Sequence, residues 1–224
     1  MLTEEIAKNV IKYLPLAIGW LLGIFSAVVI EQIKKQILKQ NIKRGIKTEL
    51  RELSLRLAAS CFKSILDCGA ISEEWAKWFK PYYKILTESD EYDYLRDKPK
   101  PDKKIDTYCD KEFYEYLVFM QNKNRANELK TPVYPKIVLP YLDSNYNTIS
   151  LLNDQFVKLI SKLKRETIHI NSDYEQVWFY HTKTFERITD INHSIAVNNI
   201  EDICKRILRK EKNIISLIEK IIPL

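Results

Sequence analysis

The chain has 224 residues, of which 46% are hydrophobic and 29% charged, and this predicts one folded domain, alone or with an appendage. The few glycines (4) and prolines (8) exclude collagen-like and low-complexity proteins and disfavour turn-rich β architectures. The formal net charge is +6, and residues 31–56 hold eight Lys or Arg against three Asp or Glu. Because the rest of the chain is nearly neutral, we do not expect a nucleic-acid-binding face.

Residues 13–30 (YLPLAIGWLLGIFSAVVI) carry no charge and follow a short N-terminal segment, residues 1–12. A helix of this length covers about 27 Å, close to the hydrocarbon thickness of a bilayer. A cleaved signal peptide would need a basic start and a small-residue cleavage site, and a buried soluble helix would not need the basic flank that follows. We therefore predict an uncleaved transmembrane helix over residues 13–30.

Basic residues are concentrated after this segment, where six Lys or Arg occur, while two lysines precede it. The positive-inside rule then places the C-terminal part in the cytoplasm, with the N-terminus outside the inner membrane. The spacing of the four cysteines suggests no disulfide framework, as expected in a reducing compartment.

Anionic lipid head groups attract basic side chains near the membrane. The residues predicted to contact them are Lys34, Lys35, Lys39, Lys43, Arg44 and Lys47.

Small residues recur at intervals of four within the predicted span: Gly19, Gly23 and Ala27. This spacing keeps them near one face of a helix, where the missing side chains allow another helix to approach closely. We predict that this face mediates self-association into a homo-oligomer, and the alternative is a monomeric anchor with incidental glycines.

A stripe of apolar residues at helical spacing continues from Ile30 to Leu57. It predicts one long helix, or two nearly collinear ones, reaching about Leu66. Residues 31–66 would then form a basic juxtamembrane stalk, and residues 67–224 a cytoplasmic α-helical domain.

Within that domain, Ser72 followed by two glutamates predicts a helix start, and Pro81 should end or kink the helix. A polar loop is predicted at residues 87–110, and a helix at residues 111–129. The sequence TPVYPKIVLPY, with three prolines, should be extended.

Three more helices are predicted, at about residues 145–165, 172–193 and 199–222, with Ser172 and Asp173 as caps of the second. The apolar stripe of the last helix would pack within the chain or on a partner subunit. No period-two pattern of strands is evident. The predicted fold is therefore all-α: an N-terminal transmembrane helix continues into a long stalk helix, and a cytoplasmic helical bundle follows.

The sequence contains no glycine-rich phosphate loop, no HExxH or GxSxG motif and no zinc-ligand spacing, so we predict no cofactor and no metal. Arg187 and His193 are separated by five residues. This spacing resembles the R-x4–6-H motif of HEPN ribonucleases, which are small helical bundles that often work as dimers. The resemblance implies that His193 acts as acid or base and that Arg187 stabilises charge at the scissile phosphate. Ile188 occupies a position where the family usually has a polar residue.

The order of segments is similar to that of membrane-anchored HEPN-like accessory proteins of bacterial antiviral systems, some of which are believed to assemble in the membrane without nuclease chemistry. A composition rich in Lys, Ile and Asn is also typical of AT-rich bacterial genomes. The leading hypothesis is a non-enzymatic, single-pass membrane protein that binds an unknown cytoplasmic protein or self-assembles, in the manner of a defence effector. The alternatives are a membrane-tethered HEPN-like ribonuclease and a helical bundle that senses a ligand and signals through the stalk.

Overall fold

The computed structural model describes residues 2–68, 71–88, 107–125, 134–186 and 189–222. Those residues contain helices and short connections but no strand, which confirms the predicted all-α fold. The helices are α1 (Leu2–Cys68), α2 (Glu73–Glu88), α3 (Asp110–Arg125), α4 (Pro140–Ser144), a 3-10 helix (Tyr146–Leu151), α5 (Asp154–Thr184) and α6 (Asp190–Ile221).

Helix α1 is a single uninterrupted helix of 67 residues, so the prediction of one long helix is confirmed. At 1.5 Å per residue it is about 100 Å long. Its environment changes along this length. The side chains described between Leu14 and Asn41 are exposed, whereas one face from Ile42 to Leu66 is buried in the bundle. The second half of the predicted stalk therefore belongs to the hydrophobic core.

Helices α5 and α6 form an antiparallel hairpin that packs on α1. Asp173 binds Lys210, and Gln176, further along α5, binds Arg206, so the residue numbers rise on one helix as they fall on the other. The apolar stripe of α6 is buried within the chain, which decides between the two packings predicted for it. Its buried members are Ile203, Cys204, Ile207, Ile214, Ile215, Ile218, Ile221 and Ile222.

Helix α2 starts as predicted, because the Ser72 side chain accepts a hydrogen bond from the Trp75 backbone N–H (3.1 Å). The helix does not end at Pro81 but continues to Glu88. Proline removes one backbone hydrogen bond, and the aromatic side chains on either side compensate by packing in the core. Phe79 stacks on Phe62 of α1 with ring centroids 5.1 Å apart, and Tyr83 is fully buried.

The prediction of separate helices at residues 145–165 and 172–193 is wrong, because α5 is continuous from Asp154 to Thr184. The polar residues that suggested a break make tertiary contacts instead. The Asn171 side chain bonds the backbone N–H and C=O of Ile137 (2.8 and 2.9 Å), and Asp173 binds Arg206 (3.0 Å). Helix α6 also begins earlier than the predicted residue 199, at Asp190, where Thr189 is the N-cap.

The short helix α4 is hydrogen-bonded to α1 near Ile42, the first described residue of α1 whose side chain is buried in the bundle. The Glu49 carboxylate accepts hydrogen bonds from the backbone N–H groups of Tyr141 (2.8 Å) and Leu142 (2.9 Å). The Tyr141 hydroxyl donates to the backbone carbonyl of Asn41 (3.2 Å). Its ring lies so close to Gly45 that a Cβ atom there would overlap it. Glycine is therefore needed at this position for close packing between helices.

Candidate membrane anchor and a buried carboxyl cluster

From Leu14 to Ile30, α1 is apolar, and its described side chains are exposed. Leu16, Trp20 and Phe25 are 75%, 69% and 66% exposed. Soluble monomers rarely expose a continuous apolar surface of this extent. Among the described residues, α1 is the one helix long and apolar enough to cross a membrane, judged by length and composition.

The predicted association face is open in the isolated chain. A Cβ atom added at Gly19 or Gly23 would meet no atom within 4 Å, and Ala27 is exposed. The three residues follow one another at intervals of about one helical turn, so they share a face, as the sequence pattern predicts. Their contact with another helix stays a prediction.

Five of the six predicted head-group ligands are exposed, namely Lys34, Lys35, Lys39, Lys43 and Arg44, and Lys47 is half-buried. Lys35 forms an ion pair with Glu31 (2.7 Å), and its hydrogen bond lowers the pKa of that carboxyl. The Lys43 ammonium lies 6.0 Å from the ring centroid of Phe156, at the start of α5. This basic collar is therefore positioned between the apolar part of α1 and the bundle, and its lipid contacts stay a prediction.

The distance between Arg187 and His193, the predicted ribonuclease pair, is not described by the structure. Arg187 lies outside the described residues, as does most of the predicted loop at 87–110. His193 lies in the first turn of α6, where its side chain is exposed and its backbone N–H donates to Thr189. The catalytic alternative therefore stays a prediction.

A cluster of polar side chains not anticipated from the sequence lies in the core around Glu211 of α6, which is fully buried. Its carboxyl accepts hydrogen bonds from the Ser60 hydroxyl (2.6 Å), the Cys61 thiol (3.3 Å) and the Tyr174 hydroxyl (2.8 Å). Burial raises the pKa of Glu211 from 4.5 to about 7, although the three donors oppose the shift. The carboxyl is thus held between its protonated and ionised forms near neutral pH.

A second layer of polar groups surrounds this cluster. The ring of Tyr134 stacks on that of Tyr174 with centroids 4.8 Å apart, and its hydroxyl shares a hydrogen bond with Ser64 (2.8 Å). Burial raises the pKa of both tyrosines and of Cys61, so these groups are neutral near pH 7. Within the described ranges, no Lys or Arg forms an ion pair with Glu211. The charge of the cluster therefore depends on the Glu211 proton alone.

The burial of Glu211 could have been predicted from the sequence. It lies four residues after Ile207 and three before Ile214, which places a carboxylate in the middle of the apolar stripe of α6. Glu49 similarly follows Ile46 and precedes Leu50 on the apolar face of α1. An acidic residue on an apolar helical face must find buried partners, and both of these do.

Comparisons with protein-family models, with curated protein sequences and with solved structures found no match. The described residues contain no group of three or more His, Cys, Asp or Glu that could hold a metal ion. In the same part of the chain, Cys61, Cys109 and Cys204 form no disulfide.

Proposed function

We propose that this chain is a single-pass membrane protein with a non-enzymatic role. Helix α1 anchors it in the inner membrane, with the N-terminus outside and the helical bundle in the cytoplasm. The observation that carries this proposal is the contrast within α1: one face is core from Ile42 onward, while the more apolar half before it is exposed. Lipid is the environment in which such an apolar surface is stable.

The orientation follows from the basic collar. Lys34, Lys39 and Arg44 are exposed between the apolar stretch and the bundle. Cytoplasmic flanks of membrane helices carry an excess of Lys and Arg, and basic residues near an anionic surface each contribute about 1 kcal/mol of attraction. These interactions favour a bundle located on the cytoplasmic side, close to the membrane surface.

Arginines in the centre of the apolar stretch are expected to abolish membrane anchoring. In the variant Leu21→Arg with Ile24→Arg, each arginine opposes insertion by about 3 kcal/mol. The bundle should fold normally, because both native side chains are exposed and pack on no other element. The wild-type protein should stay in the membrane pellet after alkaline carbonate extraction, and the variant should become soluble.

The matched control places two arginines on the exposed stalk, Gln36→Arg with Gln40→Arg. This variant should stay in the pellet with the wild type. Release of the wild-type protein by carbonate, or retention of the Leu21→Arg/Ile24→Arg variant, would contradict the proposed anchor.

Self-assembly is supported by a seven-residue register that runs along the exposed part of α1. Its positions alternate at intervals of four and three, and the register passes from the apolar stretch into the stalk without a shift. The isoleucines in it are about half exposed. The positions of the register are Gly19, Gly23, Ser26, Ile30, Ile33, Ile37 and Gln40.

The same register also has a defined end. Beyond Gln40 its next positions are Arg44, Lys47 and Arg51, which would repel their counterparts in a parallel partner. Ile42, on the opposite face of α1, is already buried in the bundle. We therefore propose that copies of the chain associate in parallel through residues 19–40, while each bundle stays separately packed.

Replacing Gly23 by Leu should disrupt this assembly without affecting the fold. Among the described residues, a Cβ atom at this position would meet no atom within 4 Å beyond the backbone of its own helix, so the fold has room for the side chain. In the assembly it would separate the two helices, and we expect association to weaken by at least about tenfold. Native mass spectrometry of the detergent-solubilised full-length protein measures the subunit number.

The control for this variant is Phe25→Leu, a substitution at an exposed position on the opposite side of α1. It should leave the subunit number unchanged. If Gly23→Leu and wild type have the same subunit number, residues 19–40 are not the assembly element. A cytoplasmic protein partner, a part in bacterial defence, the ribonuclease and the ligand sensor all stay predictions.

A further inference from the structure

Glu211 lies where the three long helices of the bundle meet. It belongs to α6, and its carboxyl is bound by Ser60 and Cys61 of α1 and by Tyr174 of α5. The carboxyl thus joins the helix that continues into the apolar segment to both helices of the α5–α6 hairpin. A change in its hydrogen bonding alters the contact between α1 and the hairpin directly.

The groups that face this carboxyl do not supply a compensating charge. From α1 the titratable neighbour is Cys61, from α5 Tyr174, and from the segment before α4 Tyr134, which in turn interacts with Cys204 of α6. Tyr82 of α2 interacts electrostatically with Cys61 and donates its hydrogen bond to Glu219. Two further charged residues lie nearby, and the charge of one of them, Lys212, acts on the Cys61 thiol. The Lys212 ammonium lies over the Trp78 ring (5.3 Å), and Asp173 is neutralised by Arg206 and Lys210.

We infer that Glu211 is a proton-controlled latch between α1 and the α5–α6 hairpin, closed when its carboxyl is protonated and loosened when the carboxyl is ionised. A neutral carboxyl is accommodated in the core because its Oε1 can accept the Ser60 and Tyr174 hydrogen bonds while the proton is on Oε2, beside the Cys61 sulfur. An ionised one is a buried charge that forms no ion pair with the described residues, and water stabilises it only if the helices separate. Because burial brings the pKa of Glu211 to about 7, the change falls within the pH range of a cytoplasm.

This inference does not depend on whether α1 spans a membrane, because all of the groups lie inside the bundle. If the proposed anchor is correct, α1 carries the change towards the membrane segment. Loosening at Ser60 would then free the stalk from the hairpin at a point about 30 Å from Gln40, since about twenty residues of helix separate the two.

Hydrogen–deuterium exchange of the full-length protein in detergent tests the latch. Peptides covering residues 54–66 and 203–218 report on the contact, and rates are corrected for the intrinsic pH dependence of exchange. In the wild type, protection in both peptides should fall at least about tenfold between pH 5.5 and pH 8.5. In Glu211→Gln the protection should be independent of pH, whereas Glu201→Gln, at an exposed position of α6, should behave as wild type.

A second variant keeps the Glu211 carboxyl and tests whether its titration causes the pH-dependent transition. Ser60 donates to the ionised form, so Ser60→Ala should raise the midpoint of the transition by about one pH unit. A role in packing alone would change protection at every pH and leave the midpoint where it is. The inference is overturned by a wild type whose protection does not vary with pH, by a transition that persists in Glu211→Gln, or by an unshifted midpoint in Ser60→Ala.

Discussion

Glu211→Gln is expected to make the bundle more stable than wild type above neutral pH, by about 3 kcal/mol at pH 8. The folded-state pKa of Glu211 is about 7, above its ordinary value of 4.5, so the folded protein binds the proton more tightly than the unfolded chain. The stability that this proton contributes is fully present below pH 4.5. It declines as the pH rises and is lost above pH 7. Glutamine keeps an acceptor oxygen for Ser60 and Tyr174 and cannot ionise.

Chemical denaturation followed by tryptophan fluorescence, from pH 4.5 to pH 8.5, measures this effect. The relevant quantity is the difference in free energy of unfolding between Glu211→Gln and wild type, because other groups titrate equally in both proteins. This difference should increase with pH and level off above pH 7. A difference that is the same at every pH would show that the Glu211 carboxyl keeps one protonation state throughout.

Glu49→Ala is expected to destabilise the protein by about 3 kcal/mol, since two backbone N–H groups lose their acceptor. Glu49 is the group that bonds Tyr141 and Leu142 at the start of α4, and the Leu142 N–H is buried. Without the carboxylate, α4 should detach from α1 near Gly45. Burial of the stalk would then begin further along α1 than Ile42.

The conservative variant Glu49→Gln keeps one acceptor oxygen and should lose about half of that stability. Glu52→Ala, at an exposed position of the same helix, should have little effect. The free energy of unfolding at pH 7 distinguishes the three variants. Equal stability of Glu49→Ala and Glu52→Ala would mean that the contact between α4 and α1 contributes nothing.

The sequence was sufficient to predict the long helix α1, because its apolar residues recur at helical spacing and no proline lies between Pro15 and Pro81. The exposed apolar segment of α1 could also be recognised in the sequence, because residues 13–30 carry no charge. The point at which α1 becomes buried, Ile42, could not be predicted. It depends on α4, whose residues Tyr141 and Leu142 are about 90 residues away from the part of α1 that they contact. Contacts of this range leave no local pattern.

Helix α5 shows a different limit of sequence-based prediction. Asn171, Ser172 and Asp173 are residue types that favour helix caps, and a break was predicted there. The structure uses Asn171 to bind the backbone of Ile137 and Asp173 to bind Arg206. Local propensity and tertiary contact favoured different structures, and the tertiary contacts prevailed.

The central claim is that α1 crosses the membrane with the bundle on the cytoplasmic side, and thiol labelling of intact cells tests it most directly. Cys109 is exposed on the bundle, whereas Cys61 and Cys204 are buried, so Cys109 reports the location of the bundle. A cysteine introduced by Thr3→Cys reports the location of the N-terminus. A membrane-impermeant maleimide is added to spheroplasts before or after lysis, and mass spectrometry identifies the labelled site.

We expect the maleimide to label the Thr3→Cys thiol in intact spheroplasts. It should label Cys109 only after the spheroplasts are lysed. Labelling of Cys109 in intact spheroplasts would contradict the orientation. Protection of both thiols until lysis would contradict a membrane-spanning α1.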